Sequence, residues 1–354
     1  MYSKMWRYGH LLEITQIAKS IGDKSILSDL SLTVENKGIF GVLSVDTVAK
    51  TTLSELISGC ENADEGEIKI NGEVMSRSAL ALKKKVRLVP SSLELDVTVT
   101  PVEHLDFVGA AIGVEPDKRY RQIKEALELM GIEDVQNKPF STLNTAQRVR
   151  LSIAAALIGN PDLIVIDDPF RRIEGKLLDD IYEIVTMLGK IKTIILTSHT
   201  PAEVKRLCEN VAVMCGGKVV LSGSIADIEA KINSTRELHI SVRGDWEKIQ
   251  PVIEGVDKVV SVKLLSTDRN NVNSITVEHL PSNKMKDELF AALSAINAPM
   301  LSVKAVVLTL DDVFYSLTDK DKKRIDAERA EEQERQAAKK SKKLGKRAEG
   351  GKGK

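Results

Sequence analysis

Cysteine, long apolar runs and net charge are all scarce in this 354-residue chain. Its three cysteines, Cys60, Cys208 and Cys215, show neither metal-ligand spacing nor the even count of a disulfide framework. They read as buried reduced thiols, consistent with cytoplasm. No apolar run approaches the ~18 residues of a spanning helix, and no signal peptide is visible. The expectation is a soluble chain, or one peripheral to a membrane through a partner. Formal charge sums to zero, with 51 basic and 51 acidic residues, but the balance is uneven. From Lys339 onward Lys339, Lys340, Lys342, Lys343, Lys346, Arg347, Lys352 and Lys354 stand against Glu349 alone, so the preceding body is slightly acidic. The stretch 319–354 begins as a mixed-charge helix candidate, then becomes Lys/Gly-rich and reads as disordered. Its functional reading is attraction to anionic lipid headgroups, at about 1 kcal/mol per basic residue near the surface. It has no interleaved aromatics and no recognition helix, so nucleic acid is not expected as a partner.

Glycine is also missing from one informative place. Ile39-Phe40-Gly41-Val42-Leu43 is an apolar strand run, Ser44 to Ala49 a loop, and Lys50-Thr51 open an apolar-periodic helix expected over Thr52–Ser58. Strand, loop and helix in this order form a phosphate-binding arrangement. Backbone N–H groups face an anion, a lysine reaches the β/γ-phosphates and a hydroxyl meets Mg²⁺. The motif G-x-x-x-x-G-K-[ST] keeps its Lys-Thr end, while Ser44 and Ala49 replace both glycines. Thr47 and Val48 are β-branched and poor at positive φ, and Asp46 adds a negative charge beside the expected phosphates. The candidate cradle is Ser44, Asp46, Thr47, Val48, Ala49, Lys50, Thr51 and Thr52.

Strands are expected over Leu12–Lys19, Ile26–Val34, Gly66–Gly72 (ending in a hairpin-type Asn-Gly) and Val86–Pro90. Helices are expected over Pro101–Gly113, Tyr120–Met130 and Leu143–Ile158, the last stopped by Gly159-Asn160-Pro161. Leu163-Ile164-Val165-Ile166-Asp167-Asp168 is a continuous apolar run ending in two carboxylates, as a parallel strand buried on both faces would read. Leu177–Lys190 is a helix, and Thr193–His199 a second buried strand ending in histidine. Polar side chains thus gather at the carboxyl ends of three strands, where α/β sheets bind ligands. Asp167, Asp168 and Asn144 also have plain readings, the first two as turn caps and Asn144 as the N-cap of its helix. His10, His104, His239 and His279 have no partners at ligand spacing.

Residues 12–230 resemble the ATP-binding subunit of an ABC transporter. The order of phosphate loop, Val86–Pro90 strand, signature helix, Leu163–Pro169 run and Thr197-Ser198-His199 carries the resemblance, as do Ala202–Met214 and Gly217–Gly223. It implies an α/β, P-loop NTPase-like cassette with a helical subdomain over about 92–158. ATP and Mg²⁺ are the implied cofactors, with Thr51 and Asp167 on the metal, Asp168 as general base and His199 at the γ-phosphate. Ser91 stands where the family has a Gln or Glu touching Mg²⁺. Leu143-Asn144-Thr145-Ala146-Gln147 stands for Leu-Ser-Gly-Gly-Gln, which places Asn144 and Gln147 as nucleotide contacts across a dimer interface. Asp168 replaces a glutamate, Glu174 an aspartate, and Ile21 an adenine-stacking aromatic.

From Arg236 the elements read β-α-β-β-α-β, a small α+β ferredoxin-like domain over 231–318. It resembles the C-terminal extension of cassettes that serve export permeases, and Thr309–Thr318 is similar to that group's ending. Residues 1–11 form a short basic-aromatic lead. The implied protein is a peripheral subunit on the cytoplasmic face of the membrane. It pairs with an integral-membrane permease and forms a homodimer or a heterodimer with another cassette. Two functional readings stand: an ATP-binding export subunit with weakened or lost hydrolysis, and a non-catalytic pseudo-ATPase that is a structural or regulatory partner. No second motif series is present, which argues against a stand-alone soluble ATPase with two cassettes.

Overall fold

A computed structural model describes residues 10–232, 236–282, 284–306, 309–319, 321 and 323. The N-terminal lead through Gly9 and the charged tail beyond these positions lie outside the described residues. Among the described residues no helix is long and apolar enough to cross a membrane.

The first unit runs to Ser224 and takes in the helical stretch from Phe314; the second is Ile225–Val313. In the first, β1 (His10–Ile21), β2 (Lys24–Glu35) and β3 (Gly38–Leu43) precede α1 (Thr47–Ser58). Next come β4 (Glu65–Ile70), β5 (Glu73–Val74), α2 (Leu80–Lys83) and β6 (Val86–Val89). Helices α3 (Pro101–Ala111), α4 (Pro116–Met130) and α5 (Thr145–Leu157) follow. The unit then alternates β7 (Leu163–Asp167), α6 (Lys176–Gly189), β8 (Thr193–Ser198), α7 (Pro201–Leu207), β9 (Asn210–Cys215) and β10 (Lys218–Ser224).

Two sheets carry this unit. One is antiparallel, ordered β2-β1-β4-β5. Asn71 and Gly72, at φ 51° and 78°, make the tight turn between β4 and β5, both residues at positive φ as an Asn-Gly hairpin requires. The other sheet is ordered β10-β9-β3-β8-β7-β6 and is parallel except for β10. Every residue of β7 and β8 is buried, which is why both read as unbroken apolar runs. Gly41 lies mid-strand in β3, where an added Cβ would fall 2.7 Å from Val204 Cγ1 of α7. Glycine is what lets that helix close on the sheet.

The second unit holds α8 (Ile225–Ile232), β11 (Arg236–Arg243), α9 (Trp246–Glu254), β12 (Val259–Thr267), β13 (Val272–His279), α10 (Met285–Ala295) and β14 (Met300–Val306). Its antiparallel sheet is ordered β12-β13-β11-β14, and Ile249, Ile253, Leu289 and Leu293 of the helices pack with Leu238, Ile240 and Ile275 of the strands.

Two helix starts differ from the sequence expectation by four residues or more. α4 begins at Pro116 rather than Tyr120, because proline at the first helical position is preorganised for a helix although the segment carries no apolar periodicity. α1 begins at Thr47 rather than Thr52, and that shift reshapes the site.

Candidate functional site

The site lies at the carboxyl ends of β3, β8 and β7, three adjacent parallel strands. Register sets Leu43 beside Ser198 and Asp167 beside Thr197. Ser44 N–H donates to Ser198 O and Asp168 N–H to Thr197 O, at 3.0 and 3.1 Å, so the ladder continues one residue past each strand. The chain then turns into α1 within three residues. Asp46 is the N-cap: its carboxylate accepts from Ala49 N–H at 3.1 Å, and its carbonyl accepts from Lys50 N–H at 3.1 Å. Asp46 N–H in turn donates to Ser44 Oγ at 3.2 Å. No residue from Ser44 to Lys50 has positive φ. The β-branched Thr47 and Val48 therefore face no strain, because the segment expected as an open loop is a helical turn.

Asp167 collects hydroxyls. Thr51 Oγ1 donates to its Oδ2 at 2.7 Å, and Thr197 Oγ1 and Ser54 Oγ donate to its Oδ1 at 2.8 and 3.4 Å. Thr51 and Ser54 reach it together because they are three apart on one face of α1. Asp168 collects basic side chains. Lys50 Nζ lies 2.6 Å from its Oδ2, His199 Nδ1 at 2.9 Å and Arg171 Nε at 3.6 Å. Lys50 is 0% exposed and Asp168 3%. Asp168 sits at φ 48°, a left-handed conformation that aspartate tolerates better than most residues and that gathers at functional sites.

The electrostatics follow from these contacts. Burial pushes the Asp168 carboxyl up, but the His199 hydrogen bond and the Lys50 charge outweigh it and hold the group below its ordinary range, hence ionised. Burial lowers Lys50, against the pull of Asp168. Behind His199, Glu203 of α7 is buried and accepts from Ser198 Oγ and, at 3.1 Å, from Tyr182 OH of α6. Burial raises its carboxyl above the usual range. Phe170 packs edge-on against Tyr182 at 5.4 Å, so this network braces the turns that carry both Asp168 and His199. A cavity of about 270 Å³ opens above the cluster, lined by Thr47, Lys50, Thr51, Ser91, Arg148 and Arg171 among others.

The family model described as ABC transporter matches residues 27–171. The chain is 33% identical over 215 residues to the Nod factor export ATP-binding protein I of Rhizobium sp. (strain N33), covering 60% of this chain and 70% of that one. This chain belongs to the ABC transporter family, as an ATP-binding cassette. It is also 26% identical over 318 residues to the linearmycin resistance ATP-binding protein of Bacillus subtilis (strain 168), 87% of this chain and 98% of the relative. Among solved structures, the ATP binding subunit of an ABC transporter aligns with TM-score 0.57 at 20% identity over 63% of this chain and 93% of its own. The cbiO1 protein from Clostridium perfringens aligns at 0.55 and 21%, over 63% and 94%. These likenesses carry the cassette fold with its mixed α/β sheets.

Cassettes of this family take ATP and Mg²⁺, and the two fit these residues unequally. The Thr51 hydroxyl and Asp167 carboxylate are hard oxygen donors side by side, the donor set Mg²⁺ requires. The triphosphate does not fit the cradle as it stands. The Ala49 N–H is taken by Asp46 and Lys50 by Asp168.

The cassette thus brings Lys50, Thr51, Asp167, Asp168 and His199 into one cluster, with Thr47 and Ser91 on the cavity wall. Ser44, Asp46 and Ala49 hold the turn below it; Val48 faces solvent at 51% exposure, and Thr52 is buried on α1. Asn144 and Gln147 form a reciprocal capping box at the start of α5, each side chain bonded to the other's backbone N–H. Arg148, Arg171, Thr197, Ser54 and Glu203 escaped the sequence reading. Thr197 was signalled by its place beside the strand-end carboxylate and Ser54 by its spacing from Thr51. Thr200-Pro201-Ala202-Glu203 has the spacing of a capping box, yet Glu203 turns inward to Ser198 and the Thr200 side chain makes no cap.

Proposed function

We propose that this cassette is the ATP-binding subunit of an export-type ABC transporter, coupling ATP binding to a separate permease, with hydrolysis weakened or lost. It works peripherally at the cytoplasmic face, paired with a second cassette, and its residues 12–230 form the nucleotide-binding domain ahead of an accessory domain over 231–318. The observation that carries the reading is the Asp168 carboxylate. It stands directly after the Asp167 pair with Thr51, where the family resemblance places the base, but is one methylene shorter than glutamate and drawn onto Lys50 and His199. Displacement of a catalytic group on the order of 1 Å costs ~10²-fold in rate. Export is supported by the relatives named for Nod factor export. A methionine import relative at 27% identity makes direction a matter for transport assay.

A second reading, the non-catalytic pseudo-ATPase, is favoured by one observation: the ammonium that should meet phosphate has no exposed surface. Calorimetric titration of Mg-ATP into the full chain, wild type beside Lys50→Ala, separates the two. The first reading expects saturable binding that the substitution abolishes, and phosphate release that rises when Asp168→Glu restores the longer side chain. Absence of binding at millimolar ATP would refute it in favour of the second.

A further inference from the structure

Two groups that a phosphate would need are already occupied by carboxylates of the chain itself. The first is the Ala49 N–H in the opening turn of α1, taken by the Asp46 side chain. The second is the Lys50 ammonium, wholly buried and 2.6 Å from Asp168. They belong to consecutive residues of the turn that would wrap the anion. Neither contact is a loose surface pairing. Asp46 is positioned by a three-residue connection from β3, and its own N–H is held by Ser44 Oγ. Asp168 is held by its backbone bond to Thr197 and, on its side chain, by His199 and Arg171. A third, independent sign lies on the cavity wall, where Thr47 Oγ1 is buried without a hydrogen-bond partner. Such orphans mark a site held short of a satisfied arrangement.

We propose that Asp46 and Asp168 act as built-in anions that latch the phosphate loop shut, so that this cassette keeps its site ordered without nucleotide. The proposal rests on the cassette reading and adds its regulation. Nucleotide enters only by competing with the chain's own carboxylates, and whatever pulls Asp168 off Lys50 opens the site. The same pairing that would impair Asp168 as a base makes it the counterion of the lysine. The charge logic is simple: in a partly buried site, an anion approaching a fixed carboxylate meets a repulsion far larger than in water.

The test is Mg-ATP titration of the full chain as wild type, Asp46→Gly, Asp168→Asn and the double variant Lys50→Met/Asp168→Asn. Glycine is tolerated at an N-cap, so Asp46→Gly removes the carboxylate with little cost to the helix. Each single variant is expected to bind Mg-ATP roughly tenfold tighter than wild type or better, and the Asp168→Asn gain to vanish in the double variant. In parallel, amine labelling read by mass spectrometry is expected to spare Lys50 in the wild type and to modify it in Asp168→Asn. The latch is overturned if both single variants, folded by circular dichroism, bind no tighter than wild type, or if Lys50 labels equally in both proteins. Micromolar binding by the wild type with no gain in the variants overturns the latch and leaves the ATP-binding reading standing. Silence from all the variants removes both.

Discussion

The Lys50–Asp168 pair makes its own quantitative test. Both side chains are shielded from water, at 0% and 4% side-chain exposure, and their charged atoms are 2.6 Å apart. Removing one partner of such a pair strands the other charge in the interior, at a cost of roughly 3–5 kcal/mol. Asp168→Ala therefore loses about that much. In a unit of this size each kcal/mol corresponds to ~2–4 °C, so the melting temperature should fall by roughly 6–20 °C. Lys50→Met leaves Asp168 with His199 and Arg171 as remaining partners, and should cost less. Combining Lys50→Met with Asp168→Ala removes both charges, and replacing a buried pair by apolar groups is often near neutral. The double variant should thus be more stable than Asp168→Ala alone. The assay is urea unfolding of the four proteins, read as a double-mutant cycle. A coupling energy under about 0.5 kcal/mol, the scatter of independent sites, would refute the claim that these groups hold each other in the interior. The pH dependence carries a matching sign. Asp168 titrates below the unfolded value of ~3.9, so its contribution is complete above that pH and is lost as pH falls through the lower folded value. Asp168→Ala should flatten the acid limb of the stability curve.

Glu203 has the opposite sign. Burial raises its carboxyl, with the Asp168 charge adding and the Ser198, Tyr182 and His199 contacts opposing, so its contribution is present below the unfolded ~4.3 and is lost as pH rises through the folded value. Glu203→Gln should remove that decline, and melting curves from pH 5 to 8 that keep the wild-type slope would rule the assignment out. Gly41→Ala should destabilise by about 1–3 kcal/mol, since its Cβ would fall 2.7 Å from Val204 Cγ1 and force α7 off the sheet. An unchanged urea midpoint would show that α7 gives way freely.

What was readable from the sequence follows from how local each feature is. β7 and β8 were legible because burial on both faces leaves an unbroken apolar run whose end is marked by Asp167 or His199. That three strand ends would converge follows from parallel order, since adjacent strands bring their carboxyl ends to one edge. The Ser198–Glu203–Tyr182 brace was not legible, because it joins three elements through packing alone and its one sequence sign pointed to a capping box instead. The start of α1 is the most instructive difference. Reading Ser44–Ala49 by analogy with a glycine loop imposes positive φ on residues unable to pay for it, and the expected strain follows from that assumption. Reading the same residues by their own chemistry gives another result. Asp46 is a strong N-cap, Thr47-Val48-Ala49 carries no glycine to keep it open, and a helix starting at Thr47 satisfies all of them. The Asp46 cap is thus what starts the helix at Thr47, with its carboxylate on the Ala49 N–H. Restoring glycine at Ala49 alone should therefore leave the turn helical, because the Asp46 cap and not the missing glycine holds it.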